Sequence, residues 1–172
     1  MLEVDPAEQV AAIVPVKAFD DQHFLIQCTK QGLIKKTPLS AYSNPRKGGI
    51  IAINIVEGDA LIEASLTDGT QDILISTRHG QAVRFPESEV REVGRNSQGV
   101  KGITLREGDE VVGMVVIRRE GSLLTVCENG FGKRTQISGY RITHRGGIGV
   151  IDIKTTERYG AVVAVKEVVD ED

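Results

Sequence analysis

The chain has 172 residues, 40% of them hydrophobic and 26% charged, with two cysteines and no tryptophan. That is enough for one domain with a real core. Two cysteines are too few for a disulfide scaffold, and no apolar run approaches the ~20 residues of a membrane helix. The formal net charge is −3, unevenly spread. Residues 1–23 and 167–172 hold one base, Lys17, against nine acids, which leaves twenty bases against fifteen acids in residues 24–166. A basic middle between acidic ends is a weak pointer to a polyanionic partner.

The acidic start, Met1 to Pro6, lacks the basic-then-apolar pattern of a signal peptide, so a cytoplasmic location is expected. Residues 10–19 carry the apolar segment AAIVPVKAF, which reads as a closing strand left from a preceding repeat. From Phe24 onward the chain repeats with a period of about 50 residues, the length scale of propeller blades. Each unit opens with an apolar run, a tight turn and a basic strand: FLIQCTKQGLIKKTP, ILISTRHGQAVRFPE and LLTVCENGFGKRTQI. The turns are built on Gly32, Gly80 and Gly130, and Asn129-Gly130 is a strong hairpin signal. Cys28 and Cys127 lie in the apolar runs and read as small buried residues.

A second glycine follows at Gly49, Gly99 and Gly147, each opening an alternating strand: GIIAINI, GVKGITL and GIGVIDI. A polar turn comes next, EGD at 57–59 and 107–109 and TTERYG in the third copy, and then a closing strand, ALIEASL, EVVGMVVI or AVVAVKEV. Four short strands per unit, glycine turns and no helical period predict an all-β fold, propeller-like, with units at about 24–72, 73–122 and 123–172 in one domain. Closed propellers have about four or more blades, so three units predict a partial ring. An open all-β stack or a pair of small barrels is the plainer alternative.

Bases recur in register. Four residues past each turn glycine stand Lys36, Arg84 and Arg134, preceded by Lys35, Val83 and Lys133. The following loops add Arg46 and Lys47, then Arg91 and Arg95, then Arg141 and Arg145, with Lys101 just beyond the second. A cation repeated at one blade position builds a charged stripe, which suits the phosphates of a bent duplex. With 4% aromatics, stacking on single strands is less favoured. Any one of these bases is explained as well by the solvent face of an amphipathic strand; recurrence favours the stripe. The acids of the EGD turns, two carboxylates each, serve polar turns better than calcium, which takes 6–8 oxygens.

Three segments carry a resemblance: TKQGLIKKTPLSAY, GQAVRFPESEVREVGRNSQGVKGITLREGDEVVGM and ENGFGKRTQISGYRITHRGGIGVI. Together they resemble successive blades of the C-terminal domain of the bacterial DNA gyrase A family, over residues 12–168. The resemblance implies a β-pinwheel, a propeller that exchanges strands between neighbouring blades. It also implies non-catalytic wrapping of duplex DNA on a basic rim, in support of ATP-dependent negative supercoiling by the holoenzyme. The implied partners are duplex DNA, the remainder of the gyrase A protein, plus gyrase B. Neither a cofactor nor a membrane is implied, and the location is cytoplasmic and chromosome-associated. DNA contact is carried over to Lys35, Lys36, Arg46, Lys47, Arg84, Lys133, Arg134 and Arg145. The family's hallmark Gln-Arg-Arg-Gly-Gly-Lys-Gly box has only degenerate echoes, PRKGGI (45–50) and HRGGIG (144–149). The match is therefore to the third to fifth of six blades.

Catalysis finds no support. Tyr42 and Tyr140 share their slot with Val90, which marks a packing position; His23, His79 and His144 are scattered, with no carboxylate at ligand spacing; and no phosphate loop or nucleophile elbow occurs. The alternatives are the corresponding domain of topoisomerase IV, a protein-docking propeller, or a sugar-binding propeller. The last is disfavoured by the lack of tryptophan.

Overall fold

The computed structural model describes residues 5–170. Among these, β1 (Phe24–Thr29), β2 (Leu33–Pro38) and β3 (Leu61–Thr67) begin the order, followed by β4 (Asp72–Thr77), β5 (Gln81–Pro86) and β6 (Val100–Lys101). The rest are β7 (Val111–Ile117), β8 (Ser122–Cys127), β9 (Gly132–Gln136), β10 (Val150–Ile151) and β11 (Val162–Val168). Helix is confined to short 3-10 turns at Leu39–Tyr42, Glu87–Glu89 and Ile137–Gly139. The fold is all-β, as the repeat pattern predicts, and no described helix is long and apolar enough to cross a membrane.

Three antiparallel sheets form, in the orders β3-β1-β2-β6, β10-β5-β4-β7 and β11-β8-β9. The turn glycines close the central hairpins: the amides of Gly32, Gly80 and Gly130 donate to the carbonyls of Thr29, Thr77 and Cys127 at 3.0, 3.0 and 3.1 Å. The fourth strand of each four-stranded sheet comes from the next unit. Val100 pairs with Ile34, and Val150 pairs with Ala82. This is exchange between blades. At the opposite edge, β7 packs against both β3 and β11, so the sheets converge there and spread toward β6 and β10.

Backbone approach selects the glycines that open the exchanged strands. Gly99 and Gly149 have φ of +95° and +74°, and a Cβ on them would stand 2.6 Å from Ile34 O and 2.3 Å from Ala82 O. The third anchor is thus Gly149 rather than Gly147. Spacing alone could not separate the glycines of HRGGIG; the pairing register does.

Two expected strands are absent. The first unit's GIIAINI segment, residues 49–55, has no strand, and Ile51 is 61% exposed. Residues 10–19 have none either; Val10, Val14, Val16 and Phe19 line a hollow against Leu25, Gln27 and Leu61. Neither segment has ladder partners among the described residues.

Stacking covers both faces of the middle sheet. On β4, Ile73 and Ile75 enter a core shared with Ile26, Ile34 and Cys28 of the first sheet, while Leu74 enters a second core with Leu123 and Tyr140. A strand buried on both sides reads as a continuous apolar run, which is what ILIS shows.

Candidate nucleic-acid interface

The in-register bases four residues past the turn do not share one environment. Lys36 is 5% exposed. Its ammonium lies 3.5 Å from Glu87 Oε2 and 4.5 Å from the centre of the Phe24 ring. Glu87 heads the 3-10 turn of the next unit and is itself buried, so the pair joins two blades. Arg84 does the same at the next junction. Its Nη1 donates to the carbonyls of Ile137 and Tyr140 at 3.0 and 3.3 Å, and its Nε and Nη2 hold Asp72. Arg134, at the third sheet, is exposed and pairs with Asp170 at 2.5 Å. Neither the charged stripe nor the solvent-face reading holds at Lys36 and Arg84, because both side chains point into the junction with the following unit.

One residue earlier, Lys35 is fully buried. Its Nζ donates to the carbonyls of Ala52 and Arg95 at 2.7 and 2.9 Å, and burial, with Arg95 nearby, pushes its pKa down to about 8. Tyr42 donates to the same Ala52 carbonyl at 3.1 Å. The third unit repeats the arrangement: Lys133 donates to the Asp152 carbonyl and Tyr140 to Asp152 Oδ1. In the middle unit Val83 and Val90 fill both slots, each 2% exposed, and Gly102 replaces the acceptor residue. The tyrosine slot is a packing and clamping position.

The loops that carry each chain segment back to the preceding blade are different. Among the described residues, the side chains of Arg46, Lys47, Arg91, Lys101 and Arg141 are exposed and have no hydrogen bond or ion pair. Arg91 and Arg141 occupy the same position, eight residues before Gly99 and Gly149. Two further loop bases are tethered through backbone carbonyls. Arg95 Nη1 donates to Ile51 O at 2.7 Å, and Arg145 Nη1 to Lys101 O at 2.6 Å. Each guanidinium thus grips the segment of the preceding unit. Arg46 and Arg95 line one hollow with Asn44 and Asn96, and Arg84 and Arg141 line another with His144. Sequence reasoning passes over Asn44 and Asn96 and sets His144 aside; the folded loops show that Asn44 shares a hollow with Arg95 of the next unit, and His144 one with Arg84 of the preceding unit.

Carboxylates account for the remaining polar features. Asp59 and Asp109 of the EGD turns accept the amides of Gln31 and His79, both at 2.9 Å, and so cap the neighbouring hairpin turns. No group of three or more His, Cys, Asp or Glu able to hold a metal occurs among the described residues. Each histidine does find one carboxylate, contrary to the expectation from spacing. His23 lies 2.9 Å from Asp20, His79 3.9 Å from Asp109, and His144 2.6 Å from Glu89. The last pair spans 55 positions and is invisible in the sequence. The Arg145 amide and His144 hold the Glu89 carboxyl below its ordinary range.

Comparison with known proteins places this arrangement. A family model described as "DNA gyrase C-terminal domain, beta-propeller" matches residues 24–68, 71–118 and 121–168. The DNA gyrase A protein of Staphylococcus aureus (strain NCTC 8325 / PS 47) is 44% identical over 174 residues, 99% of this chain and 20% of that protein. The chain therefore spans about a fifth of the curated relatives it matches. A crystal structure of the C-terminal domain of DNA topoisomerase IV superposes with TM-score 0.90 at 27% identity, covering 98% of this chain and 53% of that one. A DNA gyrase A C-terminal domain gives 0.81 at 29%, covering 90% and 52%. With three family matches along its length and a relative at 44% identity, this chain belongs to the DNA gyrase A C-terminal domain family.

Proposed function

We propose that the chain binds duplex DNA along the edge formed by its inter-blade loops, without catalysis, as a wrapping segment of a gyrase A protein working with the remainder of that protein and with gyrase B. The observation that carries this is the set of unpaired, exposed cations Arg46, Lys47, Arg91 and Arg141 on those loops, with Lys101 on β6 where the second loop ends. An arginine or lysine with no intramolecular partner exchanges only water and counterions for a phosphate, so binding need not break an ion pair first. Lys35, Lys36 and Arg84 serve this function indirectly: they fix the blades, and so the spacing of the loops. Lys133, Arg134 and Arg145 have partial internal partners and make weaker phosphate contacts.

Phosphate contacts carry no base information. Two duplexes of equal length and unrelated sequence should therefore bind equally to the chain by fluorescence anisotropy. Arg91→Glu with Arg141→Glu should weaken both by the same factor. Unchanged affinity in that double variant, or a loss confined to one duplex, would sink the assignment. The 44% identity to gyrase A favours that enzyme over topoisomerase IV as the parent.

A further inference from the structure

One loop segment recurs in all three units with a change of chemistry. Arg46-Lys47-Gly48-Gly49 in the first becomes Gly94-Arg95-Asn96-Ser97 in the second and His144-Arg145-Gly146-Gly147 in the third. Its first position thus holds a permanent cation, then no side chain, then an imidazole. Arg46 is exposed and unpaired, and the side chain of His144 is 94% exposed.

The preceding unit holds His144 in place from both sides. The amide and Oγ1 of Thr143 donate to the Arg84 carbonyl at 2.8 and 3.2 Å, and the Arg145 amide donates to Glu89 Oε2 at 2.6 Å. Between these anchors, Nδ1 of the ring lies 2.6 Å from Glu89 Oε1. The Arg145 amide and the ring keep the Glu89 carboxyl below its ordinary range, so it meets Nδ1 as an anion. A carboxylate only accepts, so Nδ1 carries the hydrogen. In the neutral ring Nε2 is then an acceptor, and it makes no hydrogen bond among the described residues. Protonation turns that same atom into a donor.

The surroundings suit an anion. His144 borders a hollow of about 220 Å³ with Arg84, Arg141 and Thr143. Around the ring stand Glu89 from the 3-10 turn, Arg84 from β5, Lys101 from β6 beside Gly146, and Arg141 and Arg145 from its own loop. Arg84 is committed to Asp72 and two carbonyls, and Arg145 to the carbonyls of Glu89 and Lys101. Arg141 and Lys101 are unpaired. Of these groups Glu89 alone is acidic. Beside a neutral ring its charge is uncompensated and opposes a phosphate at Arg141. Beside a protonated ring the pair is neutral, and the edge gains a donor.

We propose that His144 is a phosphate contact that engages only when protonated, so that the grip of this loop edge on duplex DNA tightens as pH falls. This rests on the chain's binding duplex DNA through its loop cations. Imidazole is the side chain whose charge ordinarily changes between about pH 5 and 8. Arg46 marks the corresponding step of the first unit as a permanent contact, and His144 makes the third conditional.

Fluorescence anisotropy with one duplex at about pH 6 and about pH 8 tests this. The parent should bind about two- to fivefold more tightly at the lower pH, the worth of one exposed ionic contact. Its slope of log K against log salt should also be steeper there by ~0.9. His144→Gln should lose both differences, although His23 and His79 remain. His144→Arg should bind at the higher pH as the parent does at the lower, with no pH dependence. The side chain is exposed, so both variants should fold as the parent does. Calorimetry between these pH values, in buffers of different ionisation enthalpy, should show that the parent takes up more protons on binding DNA than either variant. A parent that binds equally at both pH values, or a pH dependence that His144→Gln retains in full, would overturn the proposal and leave the loop edge standing. No duplex binding at either pH would overturn the DNA reading itself, and this contact with it.

Discussion

Lys35 and Lys36 are neighbours in sequence, and each is buried among different partners. Lys36 sits against Glu87 and the Phe24 ring. Removing one member of a buried pair strands the other, so Lys36→Met should cost about 3–5 kcal/mol in a denaturant titration. Lys36→Met with Glu87→Gln should recover much of it. Lys35 instead keeps its charge on two carbonyls, with its pKa lowered from 10.5 to about 8. The folded chain then gives up this proton before the unfolded chain does. Between about pH 8 and 10.5 the unfolded state binds more protons, and stability from this site rises with pH. Cys28, pushed up to about 12 from 9.0 by burial, and Tyr42, raised by burial, oppose it once the unfolded chain starts to lose those protons. The parent measured against Lys35→Met isolates the lysine: the difference should shift in favour of the parent as pH rises from about 8. A flat difference would mean that Lys35 is hydrated.

At the scale of elements, the exchanged strand is the part the sequence showed least. The turn glycines, the three hairpins and the 50-residue period were legible because a tight turn and an apolar run are local signals. The destination of GVKGITL and GIGVIDI was not, since a two-residue ladder onto the preceding sheet is fixed by register, not by composition. The same blindness misassigned the third anchor and placed Lys36 and Arg84 on a rim. A strand read as amphipathic from one side says nothing about the blade stacked on its other side. The loop cations were legible, because loops run over the surface whatever the stacking. Gly149→Ala should destabilise the chain by about 1–3 kcal/mol from backbone strain alone, and release β10. At Gly147 an added Cβ meets nothing closer than 3.6 Å, so Gly147→Ala should change the denaturant midpoint little. Equal effects at the two sites would contradict the register.

Over the whole molecule, a net charge of −3 coexists with a cationic loop edge because the acids are spent elsewhere. Asp59 and Asp109 cap turns, Glu87 and Asp72 clamp bases at the junctions, and Glu89 holds the Arg145 loop. What is left over at the loops is positive. If that surplus binds duplex DNA through phosphates, its signature is the dependence of affinity on salt. The deciding measurement is the slope of log K against log salt for the parent and for a variant with Arg46, Lys47, Arg91 and Arg141 all changed to Glu. Each lost contact removes ~0.9 from the slope, so the variant should fall short of the parent by about 3.6 and bind more weakly at low salt. Parallel slopes with equal affinity would show that DNA does not lie along these loops.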